Sequence, residues 1–141
     1  SSDVCSSDLN YSIQGGWYIL RPMCAMDVQL YRWDEIALDK VTEMLSRKAI
    51  SGARQTLVQA YVKRGCVVPR HAHAAEQMTY VLQGAVRFLV DGEEVTVREG
   101  EVLRIPSGVP HQAEALDDTF EVDVFSPARD DWHDTDVRED C

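Results

Sequence analysis

Between residues 44 and 125 the apolar positions come in short runs, and none recurs at the three-to-four-residue interval of an amphipathic helix. Met44 to Ile50, Gln55 to Lys63, Met78 to Leu82, Val86 to Val90, Glu94 to Arg98, Val102 to Ile105 and Phe120 to Phe125 are short and rich in β-branched residues, side chains that suit a pleated, half-buried surface. Turn formers separate them: Ser51-Gly52, Arg64-Gly65, Gln83-Gly84, Asp91-Gly92, Glu99-Gly100 and Asp117-Asp118. Asp91-Gly92 is the strongest hairpin signal, because both central residues of a tight primed turn adopt positive φ. Ahead of the strands, YRWDEIALDKV from Tyr31 reads as a leading segment with one helical turn. Seven or more short strands at this spacing predict an all-β sandwich or barrel.

Alternation within the last run assigns faces. Val122 and Val124 share one, and Glu121, Asp123 and Phe125 share the other. A lone strand aspartate is more often solvated than functional, but one face of every barrel strand looks into the interior. Arg129 follows four residues after Phe125, beyond Ser126-Pro127-Ala128, and can fold over the barrel mouth.

Two glycine-led stretches, Gly65 to Gly84 and Gly100 to Ala115, carry three of the four histidines. His71 and His73 are two apart, so an extended backbone aims both rings the same way. Gln77 can add a third ligand and His111 can reach in from a strand far along the chain. Neutral imidazole is the commonest protein metal ligand near pH 7. A lone His-x-His is usually surface strand or core. The full pattern carries more: Gly65, five residues, His71-x-His73, three residues, Gln77, six residues, Gly84, then Gly100, five residues, Pro106-x-Gly108, two residues, His111.

This pattern resembles both signature motifs of the cupin superfamily, with glutamine where the commonest version has glutamate and Ala115 where it often has asparagine. The resemblance spans roughly Arg32 to Trp132 and implies a single-domain antiparallel jelly-roll barrel around one divalent transition metal. Three imidazoles and an amide are all neutral, so the ion would keep its full charge and act as a stronger Lewis acid. Such ligands leave nickel, zinc, manganese, iron and copper all open.

Glu76-Gln77, YVLQG, IPSGVPH and DVFSPAR resemble the pectin-degradation (KdgF-type) branch of the cupins, which linearises 4,5-unsaturated monouronates released by pectate and alginate lyases. That resemblance implies metal ligation by His71, His73, Gln77 and His111 and an active site lined by Asp123, Phe125 and Arg129. Asp123 would move a proton and Arg129 would hold the uronate carboxylate in a bidentate pair. Glu76 faces away from Gln77 in a regular strand and supports the site structurally. Tyr80 and Phe88 read as core or cavity wall, and His133 as a bystander. Two rival classes stay open: a redox cupin using iron or copper to cleave glycans or act as a dioxygenase, and a non-catalytic sugar-binding cupin.

The ends add little chemistry. Residues 1–9, SSDVCSSDL, match residue for residue the translation of a common short-read sequencing adapter, as found at broken ends of metagenomic contigs. Residues 1–25 are therefore expected to be adapter and upstream read-through, with Met26 as the natural start, residues 26–132 as the cupin domain and residues 133–141 as a solvated acidic tail. The net charge of −10 argues against nucleic acid as a partner, and no apolar run is long enough to span a bilayer. Outside residues 1–25 only Cys66 and Cys141 remain, two unpatterned cysteines that make no disulfide framework. The expectation is a cytoplasmic homodimer acting on a small carbohydrate, the dimer following from the resemblance and from the apolar outer faces of a small barrel.

Overall fold

The computed structural model describes residues 28–129. The adapter-like segment, Met26, the acidic tail and His133 lie outside them. The chain divides into two compact units, Ser1–Arg32 and Trp33–Cys141, and the fold below belongs to the second.

After one 3-10 turn at Trp33–Glu35 the unit is built from β1 (Asp39–Lys40), β2 (Leu45–Ser51), β3 (Thr56–Val62), β4 (Val67–His71), β5 (Glu76–Gln83), β6 (Ala85–Val90), β7 (Glu93–Arg98), β8 (Val102–Ile105), β9 (His111–Ala115) and β10 (Thr119–Ser126). They form a six-stranded sheet, β1-β2-β3-β10-β5-β8, and a four-stranded sheet, β4-β9-β6-β7. Every pairing is antiparallel, and the fold is the all-β jelly roll expected from the strand pattern and the motifs.

All seven expected runs are strands, and β4, β9 and the two-residue β1 join them. VVPRH and HQAEA lack the uninterrupted apolar run that marks a strand. Their extended form comes from sheet pairing, with each other at Val67↔Glu114, Val68↔Ala113 and His71↔His111 and, for β9, also with β6, a tertiary effect that residue propensity does not report. The Asp91-Gly92 turn is as read: φ is 50° and 88°, and Val90↔Glu93 closes the hairpin. Gly84 answers a different need, since a Cβ there would collide with the Asp118 carbonyl and with Thr119 where β10 begins.

The interior holds two apolar clusters. Leu45, Val58, Ala60, Val62, Cys66, Ala75, Ala115 and Phe125 form one, and Val81, Val86, Phe88, Val97 and Ile105 the other. Val81 and Ile105 are fully buried, each stabilising the barrel by about 1.5–3 kcal/mol relative to exposure.

The outer face of the larger sheet carries an apolar patch, bordered in the same rows by Lys48, Gln59 and Arg104. Registers Ile50↔Leu57, Val124↔Leu57 and Val124↔Met78 line up one row, and Val122↔Tyr80 and Tyr80↔Val102 the next. Met78, Tyr80 and Val102 are exposed there, and a contiguous outward apolar row is the usual mark of an interface. A dimer is the expected result of light scattering at micromolar concentration, converted to monomer by Met78→Glu with Tyr80→Glu. A monomeric wild type would remove the homodimer expectation.

Candidate metal centre and interior cavity

His71 closes β4, His111 opens β9, and the two are register partners. His73 lies two residues past the end of β4, so the shared aim of the pair comes from the loop, not from a continued strand. Ring centroids are 4.4 Å apart for His71 and His111, 5.0 Å for His73 and His111, and 5.5 Å for His71 and His73. Each ring offers a nitrogen, and these three lie within 4.8 Å of one another. The Gly108 N–H donates to the His73 carbonyl at 2.9 Å, tying the PSGVP turn before His111 to the first histidine loop.

The tautomers follow from the backbone. Each Nδ1 sits 2.8 Å from a carbonyl two residues away: Pro69 for His71, Ala75 for His73 and Val109 for His111. A carbonyl only accepts, so Nδ1 carries the proton and Nε2 keeps the lone pair in the neutral ring. Such carbonyl contacts are the usual supports of metal-binding histidines. Burial, then the charge of Arg129, hold the pKa of His73 below its ordinary value, favouring the neutral, ligating form at pH 7.

Gln77 lies buried on the inner face of β5. Its Nε2 donates to Thr79 Oγ1 at 2.8 Å, and Thr79 donates to Asp123 Oδ1 at 2.5 Å. The amide oxygen is thereby turned to His73 Nε2, 3.1 Å away. A lone pair then faces a lone pair, an arrangement that a cation between or beside them relieves. Three converging imidazoles and this oxygen fit a divalent transition ion.

Pairing with β3 and β5 on its two edges commits every second residue of β10 to the interior. Thr119, Glu121, Asp123 and Phe125 are buried there, the face expected from the alternation. Asp123 is pushed up to about 6 by burial, partly offset by the Thr79 hydrogen bond and by Arg129. Phe125 pairs with Gln77 across the sheet and sets its ring edge against His73, centroids 5.5 Å apart. Arg129 is 5% exposed with its guanidinium 5.0 Å from the Phe125 centroid, a cation–π distance. Its backbone N–H donates to the fully buried Thr56 Oγ1 at 2.9 Å. It therefore sits inside the cavity that also takes in His71, Gln77, His111, Glu121, Asp123 and Arg47.

Three inward residues lay outside the sequence-based set. Arg47 on β2 lines the cavity and donates to Asp39 at 3.2 Å. Thr79 has the parity of Gln77. Glu121 has the parity of Asp123, which was the available signal; burial, then the charge of Asp123, push its pKa well above the usual carboxylate range. Its Oε1 is buried with no hydrogen-bond partner. Phe88 is buried and lines the cavity. Tyr80 corrects the reading as core or cavity wall: even-numbered positions of β5 point outward, and it is 42% exposed. Glu76 also points outward and pairs with Arg104 of β8.

An acid whose folded-state pKa is raised contributes stability below its unfolded value, near pH 4.3, and loses it as pH rises toward the folded value. Glu121→Gln removes that loss. With chelator present, the melting temperature of Glu121→Gln minus that of wild type should be near its minimum at pH 4 and rise as pH increases above it. A difference independent of pH would show that Glu121 titrates ordinarily.

Comparison with known proteins agrees with this geometry. A family model described as the cupin domain matches residues 58–126. KdgF from Halomonas sp. is 30% identical, with 74% of this chain and 98% of that one covered at a TM-score of 0.69. A variant of oxalate decarboxylase from Bacillus subtilis is 18% identical at a TM-score of 0.63, covering 69% of this chain and 29% of that one, a likeness of fold. An uncharacterized protein of Methanocaldococcus jannaschii is 31% identical over 77 residues, 54% of this chain. The chain spans 62% of the length of that curated relative. Strand order, the histidine cluster and the near-complete overlap with KdgF lead to one conclusion: the chain belongs to the cupin superfamily.

Proposed function

We propose that this cupin is a metal-dependent enzyme that linearises 4,5-unsaturated monouronates. The observation that carries the reading is the buried guanidinium of Arg129, stacked on Phe125 in the same cavity as His71, His111 and Asp123. A chain of net charge −10 repels an anionic substrate, so a carboxylate entering the interior needs a fixed local cation. The planar fork of Arg129 can hold it through two parallel hydrogen bonds. Because Phe125 lies between Arg129 and His73, a sugar anchored there by its carboxylate has its ring beside the histidines.

Opening the cyclic uronate moves protons without gaining or losing an atom. The anomeric hydroxyl gives up its proton as the bond to the ring oxygen breaks, leaving an aldehyde and an enolate, and the same proton returned to the alkene carbon completes the ketone. One carboxyl that accepts a proton and gives it back suffices, and a pKa of about 6 for Asp123 suits both halves of that task near neutral pH. His71, His73, Gln77 and His111 would hold the ion, and a bound divalent metal supplies Lewis-acid polarisation of a substrate oxygen.

His71→Ala and His111→Ala should each lose most bound metal by elemental analysis while remaining folded. Arg129→Lys should lose substantial turnover of unsaturated galacturonate and Arg129→Ala more, both with metal content unchanged. Asp123→Asn should slow linearisation by about 10²-fold or more. If wild type ignores the uronate but oxidises neutral cello-oligosaccharide with peroxide, and Arg129→Ala leaves that oxidation intact, the uronate reading gives way to the redox one.

A further inference from the structure

We propose that Thr79 is a positioning residue that turns the Gln77 amide so that its oxygen, and not its NH2 group, faces the metal, while bracing Asp123 in the same contact. This rests on the reading of Gln77 as a ligand and deepens it.

The geometry is a matter of donors and acceptors. A threonine hydroxyl has one proton to give, and here it points to Asp123 Oδ1 at 2.5 Å. What remains on Thr79 Oγ1 is acceptor capacity, which only a donor can match. The donor is the Gln77 amide nitrogen at 2.8 Å. The amide is planar, so a nitrogen held toward Thr79 leaves the oxygen on the other side, 3.1 Å from His73 Nε2. The strand pairing enforces the contact: Thr79 is the register partner of Asp123, as Gln77 is of Phe125. Thr79 is also fully buried, so water does not substitute for either bond.

The alternative orientation shows what the hydroxyl prevents. With the amide rotated by half a turn, its NH2 would donate to the lone pair of His73 Nε2, a good hydrogen bond in a metal-free site. That bond would occupy one ligand nitrogen and withdraw the amide oxygen, removing two of four candidate ligands together. Thr79 excludes it by presenting a lone pair where the rotated oxygen would have to sit. It keeps the site open to a cation by denying the site its own internal hydrogen bond. A carboxylate in place of the amide has two equivalent oxygens and needs no such device.

The test is a titration of Zn²⁺ against a chromophoric chelator, with no substrate involved. Thr79→Val, which keeps the shape, should weaken binding by about 10-fold or more, within the usual range for a group supporting a ligand. Thr79→Ser should restore it to within a few-fold. In a Gln77→Glu background, Thr79→Val should change Zn²⁺ affinity little, because the ligand no longer has an orientation to set. Undiminished binding by Thr79→Val, or an equal loss in both backgrounds, would overturn the proposal. Should Thr79→Val fail to fold, side-chain amide NMR of the metal-free wild type decides: NH2 protons bonded to the Thr79 oxygen support it, and NH2 protons bonded to the His73 ring nitrogen overturn it. Gln77→Leu isolates the underlying reading, since wild-type affinity in that variant would show that Gln77 is not a ligand at all.

Discussion

A strand hydrogen-bonded along both edges has no freedom in where its side chains point. β10 lies between β3 and β5, so every second residue must enter an interior lined largely by valine, alanine and leucine. That commitment places a carboxyl, an aromatic ring and a second carboxyl in one column and sets their partners on β5 by register. Thr79 lies across from Asp123 and Gln77 from Phe125. The cavity is thus a product of backbone pairing, and its polar groups are as rigid as the sheet that carries them.

The cost of that placement is electrostatic. An ionised group in an apolar interior must be paired, hydrogen-bonded or neutralised, and the cavity shows all three outcomes. Asp123 accepts the Thr79 hydroxyl and feels Arg129, so its pKa rises only to about 6. Glu121, as buried as Asp123 and with its Oε1 lacking a hydrogen-bond partner, is pushed well above the usual carboxylate range by burial and then by the charge of Asp123. His73 is held neutral by the same burial, the form in which imidazole can ligate.

Much of this was legible in the residues. The seven β-branched runs, the Asp91-Gly92 turn and the inward parity of Asp123 and Phe125 rest on local rules of period and turn chemistry. β4 and β9 fell outside the β-branched runs because HQAEA holds no β-branched residue and VVPRH only its first two, although the histidine motifs already pointed to extended backbone at both. The burial of Arg129 was not legible either, since nothing local distinguishes an arginine after a turn from surface decoration; the Thr56 hydroxyl that anchors its backbone is 73 residues away. Tyr80 was misplaced because a tyrosine near a motif suggests interior, whereas the parity of Gln77 already sent it outward.

The two strands that local preference does not explain are the two that carry His71 and His111. β4 forms an edge of the smaller sheet, held there by pairing with β9 across a register shift between Val68 and His71. An ion gripped by a histidine from each strand is a staple across that edge, adding to a ladder that residue preference alone supports weakly. Occupancy and local order are then linked: a ligand that binds only the folded arrangement stabilises it in proportion to its concentration over its dissociation constant. Protection of the β4 amides from hydrogen exchange would rise and fall with the metal supply, and a chain starved of the ion would first fray along this edge.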